Sequence, residues 1–211
     1  SYFDIPGLRE YGFPLKTFDN AIRMRNTIED LLKKKQELHI AVGGAGSAGV
    51  ELVAEFVNFI CIMQEKLLPD VKKCSVFFTL IEAAPDILPG FDPWVVALAR
   101  KRLSRLGIAI KTNTVIASVS EMYITFKSGE IQKKDILIWT GGVKGPTIFR
   151  TMGLEISSKD SLIVDEHLRV KESSGTIFAI GDNAIYINPR TQTPVVWNVP
   201  AAQEEAKIVA A

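Results

Sequence analysis

The sequence predicts an α/β fold in which a parallel sheet is covered by helices. Three observations carry this prediction. Short apolar segments alternate with longer segments of helical periodicity, a glycine-rich turn follows the first apolar segment, and the second apolar segment is apolar at nearly every position. A strand without polar alternation is typical of a sheet that is covered on both faces.

The first half of the chain predicts a connector followed by alternating helices and strands. Residues 1–18 contain two prolines and two glycines but no hydrophobic period, so we expect a connector there. The predicted elements that follow are a helix from Thr17 or Asp19 to about Lys35, a strand over 38–42, a helix opening at the glycine-rich turn, a strand over 75–81, a helix from 92 to 107 and a strand over 108–110.

In the second half, short strands follow one another without helices between them. A β-meander is predicted from strands over 115–119 and 123–126, with a hairpin turn at 127–130, before a strand over 135–139 returns to the main sheet. Further short strands are predicted over 162–164, 168–170 and 177–180, and a helix from Asn198. We therefore predict one domain over 19–150 and a separate portion over 151–211.

Composition places the 211-residue chain among ordinary globular proteins. Hydrophobic residues make up 47% and charged residues 23%, which excludes disordered and collagen-like chains. A net charge of +1 gives no indication of a nucleic-acid partner. No metal site or membrane span is predicted, and without a signal peptide we expect an intracellular protein. Cys61 is expected as a core residue, and Cys74 as an inert thiol.

The sharpest motif is the glycine-rich turn Gly44-x-Gly46-x-x-Gly49. It follows a predicted strand and opens a predicted helix, which is the context that a dinucleotide-binding turn requires. Gly44 permits the tight turn, Gly46 lets a pyrophosphate approach the backbone, and Gly49 lets the helix pack closely on the strand. The N–H groups at the helix N-terminus would bind the phosphates. The motif therefore predicts a Rossmann-like domain.

Glu82, at the end of the second predicted strand, is the candidate for the ribose. A carboxylate there can accept hydrogen bonds from both ribose hydroxyls. Two alanines follow, and no arginine stands nearby to receive a 2′-phosphate, which favours NADH over NADPH. Glu82 lies 38 residues after Gly44, against about 20 in the usual pattern, and we expect a long first helix and a loop near Pro69 to absorb the excess.

Taken together and in order, segments along nearly the whole chain resemble the flavin-dependent pyridine nucleotide oxidoreductases. Within that superfamily the chain is most similar to the type II NADH dehydrogenases, which are NADH:quinone oxidoreductases. The segments are 5–8 with 13–16, 41–52, 80–83, 138–145, 178–182 and 200–203. The family more often has alanine where this chain has Gly141.

The resemblance implies a role for each candidate residue. The nicotinamide nucleotide is expected to contact Gly44, Gly46, Ser47, Ala48, Gly49 and Glu51. The adenosine ribose is expected at Glu82, and the bound NADH is also expected to contact Thr140, Gly141 and Gly142. The FAD ribitol and pyrophosphate are expected at Gly181 and Asp182, and the flavin ring at Ala202 and Gln203. Hydride would pass from NADH to FAD and then to a quinone. Because the cofactors carry this chemistry, no catalytic acid–base residue is predicted.

The resemblance also implies that part of the family pattern lies outside this sequence. Family members contain two dinucleotide folds, and the GxGxxG turn here matches the NADH one. Residues 151–211 are therefore expected to be the C-terminal portion of an incomplete FAD-binding domain. We expect FAD to bind weakly or not at all, and the chain alone to be inactive.

The same resemblance predicts a place in the cell and an assembly. The full-length parent is expected in the cytoplasm, peripheral to the inner face of the cell membrane through a C-terminal region that this sequence lacks. Apolar surface meant for a missing half would drive self-association, of which a homodimer is the simplest form.

Three alternatives stay open on the sequence. The chain can be a non-catalytic domain that senses NADH, or it can belong to a ferredoxin reductase or sulfide:quinone branch of the superfamily. A third alternative is a hydrolase in which Ser47 lies on a nucleophile elbow. That enzyme would need a histidine later in the chain, and only His167 is available.

Overall fold

Two units make up the chain, Tyr2–Gly142 and Val143–Ala211. The computed structural model describes residues 3–70, 74–142, 144–195 and 197–210. The division between the units falls at Gly142, before the predicted boundary at residue 150.

The first unit is built on a five-stranded parallel sheet. Its elements in chain order are α1 (Leu8–Tyr11), β1 (Phe13–Pro14), α2 (Phe18–Lys34), β2 (Leu38–Gly43), α3 (Ser47–Leu67), β3 (Val76–Ile81), α4 (Pro93–Arg105), β4 (Ala109–Lys111), β5 (Ile116–Val119), β6 (Tyr123–Phe126), β7 (Ile131–Lys133) and β8 (Ile136–Trp139). The strands of the parallel sheet lie in the order β1-β8-β2-β3-β4, and β5, β6 and β7 form a separate antiparallel sheet. The predicted α/β fold with a β-meander is thereby confirmed.

Side chains that alternate along β2 enter two different hydrophobic cores. Ile40 and Val42 pack in a core with α2, α3 and α4. Ala41, between them, packs in a second core with Leu8 of α1 and Phe126 of β6. The three long helices thus share one face. Among the described residues of this unit, the four-residue α1 is the helix on the other face. The antiparallel sheet covers that second face.

The segment predicted as a connector belongs to the first unit. Leu8 is fully buried, and β1 pairs in parallel with the end of β8. The N–H of Val119 donates to the carbonyl oxygen of Pro6 at 2.9 Å. The prediction of a connector is therefore wrong for residues 8–14. One helical turn and a two-residue strand are too short to leave a hydrophobic period in the sequence.

The longer elements lie where the sequence predicts them. Thr17 caps α2, since its side chain accepts a hydrogen bond from the N–H of Asn20 at 3.2 Å. Gly107 follows α4 with a left-handed φ of 75°, as a glycine after a helix end should. Strand β7 was not predicted: the turn at 127–130 joins β6 to β7, while β8 enters the main sheet.

The second unit has little regular structure before its C-terminal helix. Its elements are a 3₁₀ helix (Thr147–Thr151), β9 (Leu162–Ile163), a second 3₁₀ helix (Gly181–Asn183), β10 (Ala184–Ile185) and α5 (Val199–Ala210). The predicted strands over 168–170 and 177–180 form single bridges only. One reason is local: Leu168 has a φ of 61° in a turn whose Asp165 carboxylate accepts the N–H groups of His167 and Arg169.

Cys61 and Cys74 form a disulfide, which corrects the expectation of a core residue and an inert thiol. Cys61 lies in α3 and Cys74 stands shortly before β3, and their Cα atoms are 5.3 Å apart although 13 positions separate them in sequence. Spacing along the chain could not show this because it depends on how the helix returns to the sheet.

Among the described residues, α3 is the helix whose length and composition would allow it to cross a membrane. In this unit Val53 and Ile60 of α3 are fully buried against the sheet, while Glu51 and Glu55 lie on its exposed side. This is the arrangement of a helix that covers a sheet.

Asp135, just before β8, ties two strands of the sheet together. Its nearly buried carboxylate accepts the N–H of His39 at 2.8 Å and pairs with the ammonium group of Lys35. Burial opposes ionisation, but the His39 amide and the Lys35 charge outweigh it, so the pKa of Asp135 lies below its ordinary value. A carboxyl whose pKa is lowered in the folded state stabilises the fold above its unfolded pKa, near 4, and that stability is lost as the pH falls.

We expect Asp135→Asn to lower the free energy of unfolding by about 1–3 kcal/mol at pH 7, because the amide keeps the shape but loses the charge. The wild-type advantage should shrink below about pH 4, as the carboxyl becomes protonated. Urea unfolding at a series of pH values measures both effects. Asp30→Asn, at a carboxylate that is 68% exposed, serves as the control. A difference between wild type and Asp135→Asn that stays constant across this pH range would contradict the assignment.

Candidate nucleotide-binding site

Three neighbouring strands end level with one another at the carboxyl edge of the parallel sheet. The last residue of β2, Gly43, pairs in register with Ile81 of β3 on one side and Trp139 of β8 on the other. The residues that follow these three strands therefore lie side by side. They are Gly44, Glu82 and Thr140, which are three of the predicted site residues. In open α/β sheets this edge is where ligands bind.

Gly49 and Gly44 allow α3 to approach the turn closely. A Cβ on Gly49 would collide with the carbonyl oxygen of Gly44 and would lie 2.8 Å from the hydroxyl oxygen of Thr140. Gly44 has a φ of 100°, and a Cβ there would lie 2.8 Å from the backbone of Gly141. Both glycines are thus required by packing inside the protein.

Gly46 differs from these two glycines. A Cβ built there meets no atom within 4 Å, and its φ of −69° is open to any residue. Nothing in the described part of the chain therefore requires glycine at this position. Gly46 is also the N-cap of the 21-residue α3, with no side-chain cap, so the positive end of the helix dipole faces this open space. An anion such as a pyrophosphate fits this space.

The carboxylate of Glu82 contacts the glycine turn directly. One oxygen accepts the N–H of Ala45 at 2.6 Å, and the other accepts the N–H of Ala84 at 2.9 Å. The Ala45 carbonyl oxygen in turn accepts the N–H of Leu88 at 2.7 Å. The long spacing between Gly44 and Glu82 is accounted for by the 21 residues of α3. Each carboxylate oxygen retains capacity to accept a further hydrogen bond from a ligand hydroxyl.

Thr140 fastens the strand end to the glycine turn. Its hydroxyl oxygen lies 2.8 Å from the carbonyl oxygen of Gly44 and 3.1 Å from that of Gly43, so the hydroxyl donates within the protein. The ring of Trp139 occupies the space that a Cβ on Gly43 or Gly141 would need. The Thr140 hydroxyl thus positions the turn, and the ligand contact that the sequence predicts for Thr140 stays a prediction.

The remaining predicted residues of this unit lie around the turn. Ser47 is the first residue of α3, Ala48 and Glu51 are exposed, and Gly142 has a φ of 47° with the ring of Phe3 beside it. The hydrolase alternative finds no support within this unit. The one histidine of the first unit is His39, which lies near the start of β2, away from the glycine turn, and stacks on Phe77.

In the second unit, the segment expected at a flavin is held by α5. The N–H of Gly181 donates to the carboxylate of Glu205 at 2.6 Å, and a Cβ on Gly181 would lie 3.6 Å from that of Ala202. Asp182 and Gln203 are exposed. Gly181 and Ala202 therefore lie next to each other, while Asp182 and Gln203 are exposed, and the flavin contacts expected for these residues stay predictions.

Sequence reasoning missed two groups of this geometry. Ala45 contributes only its backbone N–H to Glu82, and a backbone contact leaves no trace in residue type. Glu205 lies 24 residues after Gly181 along the chain, and no pattern connects the two. Among the described residues, no group of three His, Cys, Asp or Glu side chains could hold a metal ion.

Comparison with known proteins gives one family for nearly the whole chain. The family model described as pyridine nucleotide-disulphide oxidoreductase matches residues 1–206. An external alternative NAD(P)H-ubiquinone oxidoreductase of Arabidopsis thaliana mitochondria is 34% identical over 89% of this chain. A type II NADH:quinone oxidoreductase of Staphylococcus haemolyticus is 27% identical over 99% of it.

Solved structures agree with the sequence relatives. The structure of NDH2 from Plasmodium falciparum in complex with NADH superposes with a TM-score of 0.70 over 89% of this chain, at 26% identity. The chain spans 35% of the Arabidopsis protein, 54% of the Staphylococcus protein and 42% of the Plasmodium chain.

The close contact at Gly49 predicts that Gly49→Ala costs about 2–3 kcal/mol of unfolding free energy, since a methyl group would displace the Gly44 carbonyl or the whole helix end. Chemical denaturation measures this loss. Gly46→Ala is the matched control, because the space around its Cβ is open. If the two variants were equally stable, the tight packing of α3 on the turn would be refuted.

Proposed function

The chain belongs to the pyridine nucleotide-disulphide oxidoreductase family, and from this premise we propose that its first unit binds NADH for hydride transfer to a flavin. The observation that carries the proposal is that a glycine with free space around it lies beside a glutamate at the end of a strand. Gly46 leaves room at the N-terminus of α3, and Glu82 is joined to the same turn through Ala45. A dinucleotide has both a pyrophosphate and a ribose to be held.

The pyrophosphate would lie over Gly46 at the start of α3. The N–H groups of the first turn, among them those of Ser47 and Ala48, point along the helix axis toward this position. No acidic residue occupies the first turn, so no carboxylate competes with the phosphates there. Thr140 would keep the turn in place through its hydrogen bond to the Gly44 carbonyl oxygen.

The adenosine ribose would lie at Glu82. Its carboxylate is already oriented by the N–H groups of Ala45 and Ala84, so little ordering is lost when ribose hydroxyls bind. The same charge would repel a 2′-phosphate, and this supports a preference for NADH over NADPH. The nicotinamide end would extend past Glu51 toward Gly141 and Gly142.

A bound FAD would supply the acceptor for the hydride of NADH. Gly181 and Asp182 would face its ribitol and pyrophosphate, and Ala202 and Gln203 its ring. In this chain the Gly181 N–H is already taken by Glu205. This supports weak or absent FAD binding by the chain alone, and therefore no turnover.

For the full-length parent we propose the activity named in its relatives, which are NADH–ubiquinone and NADH:quinone oxidoreductases. A quinone would be the final acceptor, and the protein would work at a membrane surface, on the cytoplasmic face in a bacterium.

NADH binding without turnover is the second candidate for this chain itself, and the Glu205–Gly181 hydrogen bond favours it. Calorimetric titration with NADH, NADPH and FAD distinguishes the two candidate functions. Tight binding of FAD would contradict NADH binding without turnover.

Gly46→Ala should weaken NADH binding about tenfold or more, because the added methyl group occupies the space proposed for the pyrophosphate. The fold should be unaffected, as thermal unfolding will show. Isothermal titration with NADH measures the affinity, and Trp139 beneath the turn offers a fluorescence signal for the same titration. Unchanged NADH affinity in a well-folded variant would remove Gly46 from the site.

Glu82→Gln should lower NADH affinity about tenfold, since charge-assisted hydrogen bonds to the ribose become neutral ones and the amide NH₂ can no longer accept one of the N–H groups of Ala45 and Ala84. The affinity for NADPH should fall less, because repulsion of its 2′-phosphate is relieved. The ratio of the NADH and NADPH affinities should therefore move toward one. Glu55→Gln, on the exposed side of α3, is the control for a general loss of charge. A Glu82→Gln variant that keeps the wild-type ratio would refute the ribose assignment.

A further inference from the structure

The disulfide between Cys61 and Cys74 lies in a cleft that the nucleotide site does not use. The cleft has a volume of about 580 Å³ and is lined by both cysteines together with Asn58, Ile62, Gln64, Glu65 and Pro69. Both cysteines are only partly buried. The sulfur–sulfur bond is thus bordered by open space with both polar and apolar walls, of a size that admits a small thiol.

The disulfide joins two elements that meet in the nucleotide site at their other ends. Cys61 lies in the last third of α3, whose first turn carries the proposed phosphate site, and Cys74 precedes β3, after which Glu82 follows. Cys61 is 14 residues from Ser47, or about 21 Å along the helix axis. A change at the disulfide therefore acts on the far end of α3 and not on the glycine turn.

Gln64 holds the same end of α3 independently of the disulfide. Its side chain is 1% exposed; its amide NH₂ donates to the carbonyl oxygen of Gln36, and its amide oxygen accepts the N–H of Ser75, each at 3.0 Å. With these two hydrogen bonds in place, the helix end stays positioned when the sulfurs separate. Reduction would then free the connecting segment mainly in the unfolded state, and this lowers stability without reshaping the folded unit.

We propose that Cys61–Cys74 is a thiol–disulfide exchange site for a small monothiol of the glutathione type, and that its oxidation state sets the stability of the first unit. A thiolate entering the cleft attacks one sulfur, the disulfide bond breaks, and the released cysteine takes up a proton. A second monothiol displaces the first as a small disulfide and leaves the other cysteine protonated. The protein disulfide gains two electrons and two protons, and two monothiols are oxidised to one disulfide.

The test uses the unmodified chain under native conditions. Incubation with excess reduced glutathione, followed by alkylation and intact-mass measurement, should show a species carrying one glutathionyl group and then a species with two alkylated cysteines. Circular dichroism should show that the fold persists. The midpoint of thermal unfolding should fall by about 5–10 °C on reduction and recover when oxidised glutathione is added. NADH affinity should be unchanged.

Cys61→Ala/Cys74→Ala is the matched control. It should melt where the reduced wild type melts and should not respond to glutathione. If this variant does not fold, the wild-type measurements decide the question alone. The proposal is overturned if glutathione reduces the bond only once the protein is unfolded, or if reduction leaves the midpoint unchanged. The mass and unfolding measurements do not depend on whether NADH binds, so the two proposals fail separately.

Discussion

Strands β8, β2 and β3 end in register at one edge of the parallel sheet, and the nucleotide site depends on this constraint. Parallel pairing sets Gly43 opposite both Ile81 and Trp139, so the residues after each strand emerge at one edge. From there the contacts follow: Glu82 reaches the N–H of Ala45, and Thr140 reaches the Gly44 carbonyl. A slip of one residue in either pairing would move these groups to the opposite face of the sheet and separate them.

The glycines of the turn divide into those that serve packing and one that leaves a space. Gly44 and Gly49 let backbone and helix meet at distances that no side chain would permit, and the Trp139 ring fills the room beside Gly43 and Gly141. Gly46 alone among the three motif glycines borders open space. The glycines of one motif therefore meet two different physical requirements, close packing and free space. The atoms around each glycine in the folded protein show which requirement it meets.

Helix α3 is fastened at both ends by different chemistry. At its N-terminus the glycine contact and Thr140 hold it against the sheet edge. At its C-terminus the Gln64 amide and the Cys61–Cys74 bond hold it to the lead-in of β3. The first end depends on close packing, which the redox state does not alter. The second depends partly on a disulfide, for which we propose exchange with small thiols, while the Gln64 hydrogen bonds keep the helix end in position.

The sequence by itself determined the alternation of helices and strands, the glycine turn with its helix, and the acidic end of β3, because hydrophobic periods and turn residues act over a few neighbouring positions. The ligand contacts of the fourteen candidate site residues stay predictions, although the structure brings Gly44, Glu82 and Thr140 to one edge of the sheet. The tertiary structure alone decided that β1 joins the sheet, that an antiparallel sheet covers the second face, and that Glu205 takes the Gly181 N–H. It alone also decided that Cys61 meets Cys74. Each of these contacts joins segments whose pairing depends on the path of the chain between them, and no local pattern encodes that path.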